Sequence, residues 1–120
     1  MKKELKVMCD FCADGLWLNG FAININELPK KVHFLAKDLA IWQEEYELLF
    51  DDFGIYKTKR KIFKLRTIFF GKSKRKIIIE TNYEDFLKKG LEISKKIKKY
   101  LNKNYKIVYF DERKLKKIKI

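Results

Sequence analysis

One histidine, one proline, two cysteines, two serines and five scattered glycines are all that this 120-residue chain contains of those types. Each scarcity narrows the chemistry. His33 is the sole imidazole, so any histidine general base must be this residue. Ser73 falls in a turn and Ser94 on a lysine-rich helical stretch. Neither lies near His33 in the pattern, and no nucleophile–base pair suggests itself. Gly15, Gly20, Gly54, Gly71 and Gly90 are isolated, and Gly71-Lys72-Ser73 lacks the upstream glycine of a phosphate-binding loop. No apolar run approaches the roughly 18–20 residues of a membrane span. The opening Met1-Lys2-Lys3 leads into no apolar signal stretch. The expectation is a cytoplasmic protein that is not an enzyme and carries no cofactor.

Cys9-x-x-Cys12 is the one motif with a metal or redox history. Structural zinc takes four ligands, and two cysteines plus His33 do not make four. A redox pair of this spacing opens a helix, whereas here it closes a strand. Both cysteines read as buried apolar side chains, with Cys9 and Cys12 left as weak candidates for a shared metal. Adjacent acid pairs (Glu44-Glu45, Asp51-Asp52, Asp111-Glu112) point apart on a helix; the last, at a strand end, is the better ligand candidate.

What the chain has in quantity is lysine. Its net charge is +13, and 25 of its 29 basic residues are Lys. The distribution is lopsided. Residues 1–54 carry six Lys against ten acids, a net of −4, while residues 55–120 carry 23 bases against six acids, a net of +17. Such asymmetry points to nucleic acid, a membrane surface or an acidic partner. Lysine-for-arginine bias also fits a merely solvated surface, because planar Arg is preferred for phosphate and base contacts.

Hydrophobic spacing gives one domain over 1–120, with 47% apolar and 15% aromatic residues to build a core. Residues 4–11 alternate as a first strand. Asn19-Gly20 between Leu16-Trp17-Leu18 and Phe21-Ala22-Ile23 is a hairpin signal, since both residues accept positive φ. Pro29 opens a long amphipathic helix over roughly 30–50, with Val32, Leu35, Leu39, Trp42, Tyr46 and Leu49 facing the core. Residues 55–80 read as a basic β-ribbon. Thr81-x-x-Glu84 is a capping-box pattern opening a helix over roughly 82–103. An apolar strand at 105–110, suited to an interior position, precedes a basic tail over 113–120. The element order predicts an α+β fold: a ferredoxin-like two-layer sandwich, with two helices on one face of an antiparallel or mixed sheet and an extra N-terminal β-hairpin.

Two surfaces are candidates. On the first helix Phe34, Ile41 and Leu48 repeat every seven residues, interleaved with Asp38, Glu45 and Asp52. This is either a face covered by the Trp17 hairpin or an exposed acidic–apolar patch for a protein partner. The second is positive: Lys57, Lys59, Arg60, Lys61, Lys64, Arg66, Lys72, Lys74, Arg75 and Lys76, joined by Lys95 and Lys99 on the second helix. Interleaved Tyr56, Phe63 and Phe70 suit base stacking, the pattern of a nucleic-acid binder. Lysine-rich edges also guard strands against aggregation.

Several short blocks carry a likeness: Asp10-Phe11, Gly15-Leu16-Trp17, Leu28-Pro29, Trp42 with Tyr46, Phe86 with Gly90-Leu91, and Val108-Tyr109-Phe110-Asp111-Glu112. Together they resemble small bacterial immunity proteins of toxin systems; residues 55–80 fall outside the likeness. The resemblance implies a stoichiometric inhibitor that covers the active site of a toxin or effector domain. It supplies no catalytic residues. Inhibitors of basic nucleases tend to be acidic, so the +17 half argues against such a target unless the first helix makes the contact. A phage inhibitor of a host defence complex would share these features. The expected partner is thus a protein, with nucleic acid the alternative.

Overall fold

Alternation of apolar and polar side chains builds the first strand, β1 (Lys3–Val7), with Leu5 and Val7 fully buried. The computed structural model describes residues 2–10, 13–50, 62–70, 73–111 and 114–120. Asn19 and Gly20 both take positive φ, 49° and 89°, which closes the two-residue turn between β2 (Leu16–Leu18) and β3 (Phe21–Ile23). The Asn19 amide nitrogen donates to the Glu4 carbonyl at 2.9 Å, and its side-chain oxygen accepts from the Glu4 N–H at 3.1 Å. The turn is thereby tied to β1.

The expected single helix over 30–50 begins more tightly wound. Lys30–Leu35 form a 3₁₀ segment, and α1 proper spans Ala36–Leu49. A 3₁₀ first turn is a common way to satisfy the starting N–H groups. The second helix, α2 (Tyr83–Leu101), is capped one residue later than the Thr81/Glu84 pattern predicts. Asn82 is the cap, its side chain accepting from the Asp85 N–H at 2.8 Å. Thr81 is committed elsewhere: its hydroxyl donates to Glu45 at 2.6 Å.

Five strands form the main sheet. With β6 (Tyr105–Asp111) and β7 (Lys116–Lys119), the order is β3-β2-β1-β6-β7. The β1–β6 pair is parallel and the others are antiparallel. Strand β6 is interior, as its apolar run predicts. The basic tail is corrected to an edge strand, entered through Leu115 at φ 51°. Both helices pack on one face of this mixed sheet, which is the predicted α+β two-layer sandwich with its extra hairpin. The other two strands, β4 (Ile62–Phe70) and β5 (Ser73–Thr81), do not join it. They make a separate two-stranded ribbon that lies on α1.

Trp42 is the hub of the core, fully buried, stacked on Phe86 at 5.2 Å and tilted against Tyr109 at 6.1 Å. Its indole N–H donates to the Phe86 carbonyl at 3.0 Å. Gly90 leaves room for both rings: a Cβ there would sit 2.5 Å from Tyr109 Cε1 and 2.7 Å from Trp42 Cζ2. A cluster of Leu48, Ile68 and Ile79 fastens the ribbon to α1.

Candidate functional site

The ribbon has two unlike faces, fixed by its register. Opposed residues share a face, so Ile62/Thr81, Lys64/Ile79, Arg66/Ile77 and Ile68/Arg75 lie toward α1. Ile68 and Ile79 are buried there, and Arg66 Nε lies 3.8 Å from Glu44 Oε2. The opposite face carries Phe63/Glu80, Leu65/Ile78, Thr67/Lys76 and Phe69/Lys74. On it Phe63, Leu65, Phe69 and Ile78 are 61–70% exposed. Leu65 and Ile78 stand directly opposite each other with Phe63 next along the strand, so these three make a contiguous apolar patch; the Thr67/Lys76 pair separates it from Phe69. Single exposed apolar residues are ordinary; a contiguous row of large ones marks a contact surface. Phe69 and Ile68 also line a cleft of about 500 Å³ against Leu39, Ala40, Gln43 and Glu44 of α1.

Of the acidic–apolar face read on the first helix as either covered or exposed, the middle and C-terminal part at Glu45 and Leu48 is covered. Glu45 is 1% exposed and Leu48 is buried. Ile41 and Leu48 of the heptad column pack against the β4–β5 ribbon rather than the Trp17 hairpin. Glu45 accepts from the Thr81 hydroxyl at 2.6 Å and from Lys89 Nζ at 2.5 Å, joining α1, β5 and α2. Ile41 is half-buried against the Leu48 cluster. Asp38 is half-buried in the first turn of α1, and Phe34 is exposed with its ring edge-on to Tyr100 at 5.6 Å. Asp52 lies outside the described residues. Beside Arg66, burial raises the Glu47 carboxyl above its ordinary range; Glu44 adds to the rise and Arg66 opposes it.

The positive set is dispersed. Lys74 and Lys76 flank the apolar strip on the outer face, while Lys64, Arg66 and Arg75 belong to the face toward α1. Lys95 and Lys99 are exposed on α2, with Lys99 Nζ 5.8 Å from the Tyr100 ring centroid. Lys57, Lys59, Arg60, Lys61 and Lys72 lie outside the described residues, as do Tyr56 and the Phe70 side chain. Sequence reasoning missed Leu65, Phe69 and Ile78 as surface residues. The signal was there, since Ile77-Ile78-Ile79 and Ile68-Phe69-Phe70 are apolar on both faces, but only the register says which face the chain covers itself.

The remaining candidates are held in structural contacts. Cys9 is buried, its thiol 3.9 Å from the Trp42 carbonyl; Cys12 lies outside the described residues. His33 Nε2 is 2.7 Å from the Leu28 carbonyl, and Ser94 donates to the Gly90 carbonyl at 2.8 Å. Asp111 is buried and accepts from the Tyr83 hydroxyl. Among the described residues no three His, Cys, Asp or Glu side chains are grouped to hold a metal ion, and no helix is long and apolar enough to cross a membrane. No protein-family model, curated protein or solved structure matches the chain.

Proposed function

We propose that this chain is a non-catalytic protein-binding module of the cytoplasm, a stoichiometric inhibitor that occludes a toxin or effector domain through the outer face of its ribbon. One observation carries this reading. Strands that are apolar on both faces belong where both faces are covered, yet here α1 covers only one. Among the described residues no element covers Phe63, Leu65 and Ile78, or Phe69 beyond the Thr67/Lys76 pair, which leaves them for a partner to cover. Lys74 and Lys76 border them, and Glu80 is the one acid on that face among the described residues. The complementary surface is an apolar patch rimmed by carboxylates. A second copy of the chain would set lysine against lysine. The likeness to immunity proteins points the same way.

The test begins with co-purification from the native host, followed by reconstitution of the captured protein with the pure chain. The reading requires a 1:1 complex in which the captured protein loses its own activity. Leu65→Ser with Ile78→Ser should weaken that complex at least about 100-fold, two hot-spot truncations of about 2 kcal/mol or more. A complex indifferent to both substitutions removes the ribbon from the reading. Capture of nucleic acid alone, lost on raising salt, replaces the protein partner with the nucleic-acid alternative.

A further inference from the structure

The second face of the main sheet is a different surface from the ribbon. In β1 and β6, Leu5, Val7, Ile107 and Tyr109 point toward the helices and are buried in the core. Their neighbours therefore point the other way, where no described helix packs. The register aligns Ala22, Trp17, Lys6, Val108 and Lys119 in one row across five strands, with Phe110 opposite Lys117 and Glu4 opposite Lys106 alongside. Val108 is buried in this row yet belongs to neither core cluster. Trp17 and Phe110 are half-exposed, and Lys6 Nζ stands 5.6 Å from the centroid of each ring. The Trp17 indole is held in place, its N–H donating to the Met8 carbonyl at 2.9 Å. Among the described residues four lysines share the face with one carboxylate, Glu4, which bonds Lys117 at 3.2 Å.

We infer that this open sheet face binds single-stranded nucleic acid, with bases stacked on Trp17 and Phe110 and phosphates held by Lys6, Lys106 and Lys119. The charge selects a polyanion, and the two rings select among polyanions. A duplex keeps its bases inside the stack, and a chain of carboxylates such as polyglutamate has no aromatic groups to lay on the rings. Lys6, whose ammonium lies between the rings, is placed to pair with the phosphate that joins the two stacked bases. None of this draws on the ribbon, so the two surfaces fail or stand separately.

Intrinsic fluorescence of the full chain reads the site directly. Trp42 is sealed in the core, so quenching on addition of a single-stranded oligonucleotide reports Trp17. A 12-nucleotide strand, roughly one sheet's site size, should quench saturably, and log affinity should fall against log salt with a slope of about −2 for three phosphate contacts. Phe110→Leu and the pair Lys6→Gln with Lys119→Gln should each weaken binding about 10-fold. The charge-matched ribbon pair Lys74→Gln with Lys76→Gln should change it by less than about 3-fold. The inference is overturned by any of three results: no quenching at about 50 mM salt, equal weakening by the ribbon pair, or equal quenching by duplex or polyglutamate.

Discussion

Ile78 and Ile79 are adjacent in β5 and chemically identical, yet Ile79 is 3% exposed against α1 while Ile78 is 70% exposed on the other side. The same contrast holds across the ribbon, between Ile68 and Leu65. The period of two along a strand explains the alternation, but it does not explain why both sides are apolar. In β1 the residues away from the core are Glu4 and Lys6, the ordinary outcome for a sheet with one wet face. The ribbon departs from that pattern and β1 keeps to it. Stability can account for the inner face of the ribbon; the external contact proposed above would account for the outer one.

The largest expected effect separates body from ribbon. Trp42→Ala removes the ring that Phe86, Tyr109 and Gly90 enclose, and should cost about 3–5 kcal/mol in chemical denaturation. A loss below about 1 kcal/mol would mean that this core collapses around the deletion, and that the body is less close-packed than its ring contacts indicate. Next comes the same substitution at neighbouring positions. Ile79→Thr replaces a buried ethyl group with a hydroxyl, for roughly 2–4 kcal/mol. Ile78→Thr keeps the β-branch on an exposed position and should stay within about 0.5 kcal/mol. Equal costs at the two sites would show that the outer strip is already covered by the chain itself, which would remove the basis for an external partner. A smaller effect tests the joint between the two regions. Thr81→Val deletes the hydroxyl donor to buried Glu45, leaving Lys89 as the carboxylate's partner, and should cost roughly 1–3 kcal/mol. Hydrogen exchange should rise in β5 before it rises in β6, because Thr81 ends the ribbon strand and not the sheet.

Much of this architecture is legible in the residues. Asn19-Gly20, the spacing from Val32 to Leu49 and the apolar run at 105–110 each specify local structure that the fold keeps. Near misses arise where one side chain has two possible employers. Thr81 satisfies a capping pattern on paper, but a buried carboxylate 36 residues earlier takes its hydroxyl, and Asn82 caps the helix instead. Glu45 and Leu48 form an amphipathic column on a helical wheel, but a wheel does not say that a ribbon will lie on it. The candidate surface was less legible for the same reason. Basic residues announce themselves by charge, whereas Leu65 and Ile78 become surface residues only once register decides which face meets α1. The blocks on which the expected likeness to immunity proteins rests include Trp42, Phe86, Gly90 and Tyr109, which pack together in the core. They carry information about how the body is packed, and the ribbon that bears the exposed strip lies outside them.

The smallest effect probes the seam where the acidic helix meets the basic ribbon. Burial and the neighbouring Glu44 hold the Glu47 carboxyl above its ordinary range, with Arg66 pulling the other way. A carboxyl whose folded value is raised binds its proton more tightly in the folded state. Its contribution to stability is therefore greatest at low pH and declines as pH rises from the ordinary carboxylate range through the folded value, above which it is a constant penalty. Glu47→Gln removes that penalty, so the variant should gain on the wild type as pH rises and then level off. Because the side chain is half-exposed, solvent screening keeps the gain at neutral pH below about 0.5 kcal/mol. Paired urea titrations across the acidic range measure the difference. Arg66→Gln should steepen the wild-type decline, since it removes a charge that favours the ionised form. If the difference between Glu47→Gln and wild type is flat with pH while Arg66→Gln changes nothing, then the ribbon does not lie against α1 closely enough to desolvate the carboxyl, and the inner face loses the close packing that sets it apart from the outer one.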